Sequence, residues 1–192
     1  MAIQINGNGT ITGISVGGLP DGIVDTDMLA ANAATQAKRS YGTGEIIQVV
    51  NTTKTTEFQN TNTSYVDVTG FSAAITPQTN SKVLALINIH TYKNGSAHNN
   101  GQGYGLKLVR TPSGGSSTDV HTSANKYDSY LYDGGDTQAA FRSYYQIMDS
   151  SPGGNGSTAL TYKVQIANYT TALMRLCQDG NLSSLTLMEI AA

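Results

Sequence analysis

Val83-Leu84-Ala85-Leu86-Ile87-Asn88-Ile89 is an almost unbroken apolar run. Such a run reads as a central β-strand covered on both faces, since a half-exposed strand would alternate apolar with polar residues. The closing run Ser184-Leu185-Thr186-Leu187-Met188-Glu189-Ile190 is equally dense in aliphatic residues. The two are expected to lie together as the centre of the core, with Leu86 buried between neighbours and Leu185 and Leu187 against residues 83–89.

Working outward, strands are predicted at residues 45–51, 65–70, 72–76, 82–91, 104–110, 139–148, 159–167, 172–177 and 183–190. Turn chemistry separates them at Asn94-Gly95, Ser113-Gly114-Gly115, Asp133-Gly134-Gly135, Pro152-Gly153-Gly154-Asn155-Gly156 and Asp179-Gly180-Asn181. Many short strands with regular turns predict an all-β fold, a β-sandwich of jelly-roll-like form. Thr161-Tyr162-Lys163-Val164-Gln165-Ile166 alternates and is expected to be half exposed. No solenoid repeat is visible, which argues against a long parallel β-helix.

Of the 192 residues, 39% are hydrophobic and only 12% charged, with a formal net charge of −2. That gives no electrostatic footprint for nucleic acid or an anionic membrane surface. Thr, Ser, Asn, Gln and Gly must cover the surface instead, which suits sheets and loops. There are 11 Tyr against 3 Phe and no Trp, a set suited to surfaces and interfaces, because a ring can be buried while its hydroxyl stays hydrated. The single Cys177 cannot form an intrachain disulfide and sits in Ala172-Leu173-Met174-Arg175-Leu176-Cys177, the setting of a buried small hydrophobe and not of a catalytic thiol. No window approaches a membrane span, and Met1-Ala2-Ile3-Gln4-Ile5 is no signal sequence. The expectation is synthesis as a soluble protein in a cytoplasm and arrival at the working place by assembly.

Residues 1–40 differ in character from 41–192. Short β-branched runs around Asn6-Gly7-Asn8-Gly9 predict small strands and tight turns. Residues 25–38 carry the only clear helix signal: a capping Asp25, an Ala-rich body, and Lys38 and Arg39 at the end. A helix that short is marginal alone. Its few large apolar residues, Met28 and Leu29, with small Ala33 allowing close approach, predict packing against copies of itself about a threefold axis. The division is therefore a short β/coil segment with one helix, then a β-sandwich knob.

Catalytic and metal constellations are weak. His90, His98 and His121 lack ligand spacing, so no metal or cofactor is expected. Asp119, Asp128, Asp133 and Asp136 are in turn-like contexts where Asp caps or turns the chain. No Gly-x-Ser-x-Gly elbow appears. Gly101-Gln102-Gly103-Tyr104-Gly105 lacks phosphate-loop spacing and reads as a turn. One stretch points to recognition: Asn125-Lys126-Tyr127-Asp128-Ser129-Tyr130-Leu131-Tyr132-Asp133. Tyr127, Tyr130 and Tyr132 beside Asp128 suit a sugar-like surface, with rings over C–H faces and the carboxylate on hydroxyls. An alternating strand whose tyrosines pack against a neighbouring subunit fits the same residues, and both readings stay open.

Two stretches resemble a known family. Gly9-Thr10-Ile11-Thr12-Gly13-Ile14-Ser15-Val16-Gly17-Gly18-Leu19-Pro20-Asp21-Gly22-Ile23-Val24-Asp25-Thr26-Asp27-Met28-Leu29-Ala30 resembles a segment that recurs in tail-fibre and other virion proteins of tailed phages, cyanophages among them. Gly44-Glu45-Ile46-Ile47-Gln48-Val49-Val50-Asn51-Thr52-Thr53-Lys54, Tyr65-Val66-Asp67-Val68-Thr69-Gly70, Thr158-Ala159-Leu160-Thr161-Tyr162-Lys163-Val164-Gln165 and residues 184–190 are similar to the C-terminal β-sandwich module of such fibres. The resemblance implies a homotrimeric virion appendage. Its N-terminal segment would attach to other virion proteins, and its knob would be free to meet a host-surface glycan. The competing implication is a head-decoration, cement or neck-fibre protein that stabilises the virion and recognises no host. An enzyme ranks last. No nucleic-acid partner and no membrane insertion are expected. The contact loops are expected at residues 94–103 and 113–136.

Overall fold

The computed structural model describes residues 4–5, 11–12, 40–93, 101–132 and 138–192. The chain falls into two compact units, Met1–Ser40 and Tyr41–Ala192. In the first, β1 (Gln4–Ile5) pairs antiparallel with β2 (Ile11–Thr12). The helix expected at residues 25–38, with Met28, Leu29 and Ala33, lies outside the described residues, as do 94–100 and 133–137, including His98, Asp133 and Asp136.

The second unit is a sandwich of two antiparallel sheets. One holds β3 (Ile46–Lys54), β13 (Ser183–Ile190), β6 (Lys82–Lys93) and β10 (Ala139–Asp149) in that order, with β12 (Met174–Leu176) and β4 (Phe58–Asn60) continuing beside the far end of β6. The other runs β5 (Val66–Ile75), β11 (Leu160–Asn168), β7 (Gln102–Pro112), β8 (Thr118–Thr122), with β9 (Ser129–Leu131) also on β7. Numbering the eight long strands along the chain, the sheets read 1-8-3-6 and 2-7-4-5. That is the order of a jelly roll. The predicted sandwich is therefore present, and the first and last long strands are neighbours in one sheet.

Several boundaries differ from the sequence reading. Residues 65–70 and 72–76 form one strand, β5, because Gly70 takes a left-handed φ of 74° at a bulge opposite Lys163 and Gln165. A bulge absorbs extra residues without ending the pairing. β4 and β9, of three residues each, are too short to show a period of two, and β8 (Thr118–Thr122) was not among the predicted strands. Residues 113–136 are consequently no single loop, since β8 and β9 lie within them.

The core is where the expectation holds best. Val83, Ala85, Ile87 and Ile89 of β6 are buried, and Leu185 and Leu187 of β13 stand beside Ile87 and Ala85. Phe71, Leu106, Leu108, Tyr162, Val164 and Ile166 come from the facing sheet. Burial on both faces of β6, however, does not occur. Leu84, Leu86 and Asn88 are only half buried and form the outer face. The reason is topological: the jelly roll has two layers, so its sheets have one covered face each.

Cross-strand register sets three rows on that outer face. Val49, Met188, Leu84 and Met148 form one; Asn51, Thr186, Leu86 and Gln146 the next; Thr53, Ser184, Asn88 and Tyr144 the third. The tyrosines also correct the compositional reading. Tyr104 and Tyr162 are fully buried and serve as polar pins between sheets. Tyr145 donates to the Tyr104 hydroxyl at 3.0 Å, and Tyr162 donates to Asp149 Oδ2 at 2.8 Å, which also receives Arg110. Burial raises the Tyr104 phenol to about 12 and drives Tyr145 and Tyr162 up as well.

Candidate functional site: a tyrosine cluster on one end of the sandwich

Gly103 and Gly105 alternate at the start of β7 and so share one face of the strand, and Gly101 directly precedes it with φ 78°. The segment 123–130 lies against that face. A Cβ on Gly101 would strike the Tyr130 ring, one on Gly103 the Ser129 carbonyl, and one on Gly105 the Lys126 Cα at 2.8 Å. The glycines read from sequence as a turn are therefore a stretch at the start of β7 stripped of side chains for close backbone approach.

Backbone and side-chain bonds hold the segment in place. Asp128 N–H donates to Tyr104 O at 3.0 Å and Ser123 N–H to Leu106 O at 2.9 Å. Asp128 Oδ2 accepts Leu106 N–H at 2.7 Å and the Ser123 hydroxyl. Lys126 Nζ donates to Thr63 O at 2.6 Å, and Tyr65 donates to Ser123 O at 2.7 Å. Asp128, predicted as a contact residue, thus has one carboxylate oxygen committed to holding the loop.

The aromatic residues gather on this platform. Tyr127 and Tyr130 are 4.8 Å apart between ring centroids at 66°, and each meets Tyr169, at 5.1 and 5.2 Å respectively. Edge-to-face pairs of this kind are favourable beyond their buried area. Tyr169 arrives from the end of β11, where its N–H donates to Gly103 O at 2.8 Å. Before it, the buried Asn168 Nδ2 donates to Asn60 O and Ala172 O at 2.8 and 2.7 Å. A bond with Tyr169 holds the Tyr127 phenol above its ordinary value, and lost hydration does so for Tyr130. Tyr127 and Tyr130 therefore stay neutral donors and acceptors across the physiological range.

Of the predicted residues, the fold brings Tyr127 and Tyr130 together and leaves Tyr132 standing in solvent, 72% exposed. Tyr169 was missed. The alternate glycines of 101–105 were the available signal, since they mark where another segment must press. Among the described residues, Asp119 is taken by Lys107 at 2.7 Å, Cys177 is buried with Sγ donating to Lys54 O and Ser183 Oγ at 3.3 and 3.2 Å, and no three His, Cys, Asp or Glu side chains converge as metal ligands would. What remains at this end is an aromatic surface, with Asp128 and Lys126 beside it, able to cover C–H faces of a polar ligand and to exchange hydrogen bonds with its hydroxyls.

No family model and no curated protein matches this chain. Among solved structures it is similar to the VP2 subviral particle of infectious bursal disease virus, at 15% identity and TM-score 0.42, covering 76% of this chain and 38% of that one. It is also similar to the T13 particle of that virus, at 18% identity and TM-score 0.40 over 76% and 36%, and to its Gt strain, at 16% identity and TM-score 0.39 over 91% and 43%. The chain thus spans roughly two-fifths of the length of the solved chains it matches.

Proposed function

We propose that the protein is a structural component of a tailed-phage virion: a trimeric short tail-fibre or tail-associated appendage that does no chemistry. Residues 1–40 attach it to other virion proteins, and Met28, Leu29 and Ala33 bring copies together. The jelly-roll knob offers Tyr127, Tyr130, Tyr169 and Tyr132 to a glycan of the host surface. The observation that carries this reading is the ring cluster itself, packed over the glycine-stripped start of β7. It supports recognition because segments fixed on a stiff scaffold recognise ligands, while strands pack. The resemblance of both ends of the chain to phage appendage segments supports this location. Weak single sites would gain avidity from several copies on one particle.

The test replaces Tyr127, Tyr130 and Tyr132 by Ser, checks that the oligomer persists, and measures adsorption of particles carrying the variant. Adsorption should fall several-fold. Normal adsorption by intact particles overturns the host-contact role. A second reading, a head-decoration or cement protein, is favoured by the uncharged central rows on the outer face of the β6 sheet, a surface suited to clamping neighbours. Antibody-labelled particles in the electron microscope separate the two: label on the tail supports the first, label across the head lattice the second.

A further inference from the structure

We infer that the outer face of the β6 sheet is a contact surface between copies of this chain. On it Ile46, Val49, Tyr144 and Met148 are exposed by 57%, 54%, 72% and 44%. Half-buried Leu84 and Met188 join them. Open apolar side chains on this scale, a few hundred Å², mark contact sites on monomers, and a standard interface takes about 800 Å² of total surface from each partner.

Three further observations choose a second copy as the occupant. The three central cross-strand rows of this face contain no charged residue. The cations Lys82 and Arg142 stand at its two ends, Lys82 in the row of Ile46 and Ile190, and Arg142 bonded to Asn88 Oδ1 at 3.0 Å and Leu182 O at 2.8 Å. Two copies can therefore meet over the central rows without bringing like charges together there. Within those rows a partner selected by charge would find nothing to pair with. The same face supplies both shapes that self-association needs: Tyr144 projects beside a groove lined by Leu86, Asn88, Gln146, Ser184 and Thr186. Finally, β6 carries the near-continuous apolar pattern of a strand covered on both sides, and one copy covers only its inner side. β10 borders the patch, and among the described strands it pairs with β6 alone. Its free edge adds backbone donors and acceptors to the same surface.

This contact is separate from any at residues 25–38 and does not depend on the virion role, so labelling of particles cannot decide it. The test is sedimentation velocity of the full chain over the micromolar range. It compares the native protein with the double variant Val49→Asp/Met148→Asp, the conservative Met148→Leu, and Thr161→Asp on the outer face of the other sheet. Circular dichroism checks each fold. The double variant should associate at least tenfold more weakly, while Met148→Leu and Thr161→Asp associate as the native chain does. A folded double variant that associates like the native chain overturns the proposal and leaves the face to a different protein. A native chain that is monomeric throughout overturns it as well.

Discussion

The two sheets of the sandwich end differently at their outer faces. On the β7 sheet, Lys163 bonds Asp67 at 2.7 Å, Gln165 joins the same carboxylate, and Lys107 pairs with Asp119 at 2.7 Å. These exposed pairs contribute little stability, but they complete a face that is at home in water. On the β6 sheet the corresponding positions hold Val49, Leu84, Met148 and Met188, and charge stands towards the rim, in Lys82 at one end and in Arg142 and the Arg175–Glu57 pair at the other. A chain that finishes one sheet for solvent and leaves the other bare has two different environments to meet. The jelly roll supplies the same backbone to both, so the difference is written wholly in side chains.

The largest expected effect sharpens this contrast within one strand. Ile87→Ala, on the inner face of β6, should cost about 2–5 kcal/mol through the cavity it leaves. Leu86→Ala, one residue away on the outer face, should cost about 1 kcal/mol or less in dilute monomer. Denaturant unfolding measures both, and equal losses would mean that the two faces are equally covered. A smaller effect concerns the completed sheet. Gly101 has φ 78° and lies under the Tyr130 ring, so Gly101→Ala should lower stability by about 1–2 kcal/mol and alter the near-ultraviolet signal of the tyrosine cluster. Unchanged spectra would break the account of the platform.

The smallest effect is at the rim of the bare face. Burial, and then the Arg142 charge, hold the His90 imidazole below its ordinary value of 6.5, with Asp179 opposing. The unfolded chain therefore takes up the proton first as pH falls. Stability from this residue is complete above about 6.5 and is lost below it, towards the depressed folded value. His90→Gln should flatten the pH dependence of the melting temperature below neutrality, and an unchanged slope would assign it to other groups.

The sandwich was legible because long strands carry their period and their turns plainly; residues 83–89 and 184–190 fell together as the apolar runs implied. The same run misled about burial. Continuous apolarity says that both faces of a strand are covered, and not that one chain does the covering. Tyr104 and Tyr162 were unreadable as core residues because only the register shows that each hydroxyl meets a polar partner across the sheets. The site was half legible. Tyr127 and Tyr130 are close in sequence, whereas Tyr169 joins them only through the pairing of β11 with β7, a contact between distant residues. Asp128 looked like a ligand group, and only the nearby Leu106 amide shows its work in holding the loop.

Oxidative footprinting of purified particles tests the account most directly, since Met148, Met188 and Tyr144 report the bare face and Tyr132 reports the aromatic end. The protein should be found in the particles, with the first three residues protected relative to dilute isolated chain and Tyr132 modified freely. Particles that lack the protein, or in which Met148 and Tyr144 are modified as fast as in the dilute chain, would contradict it.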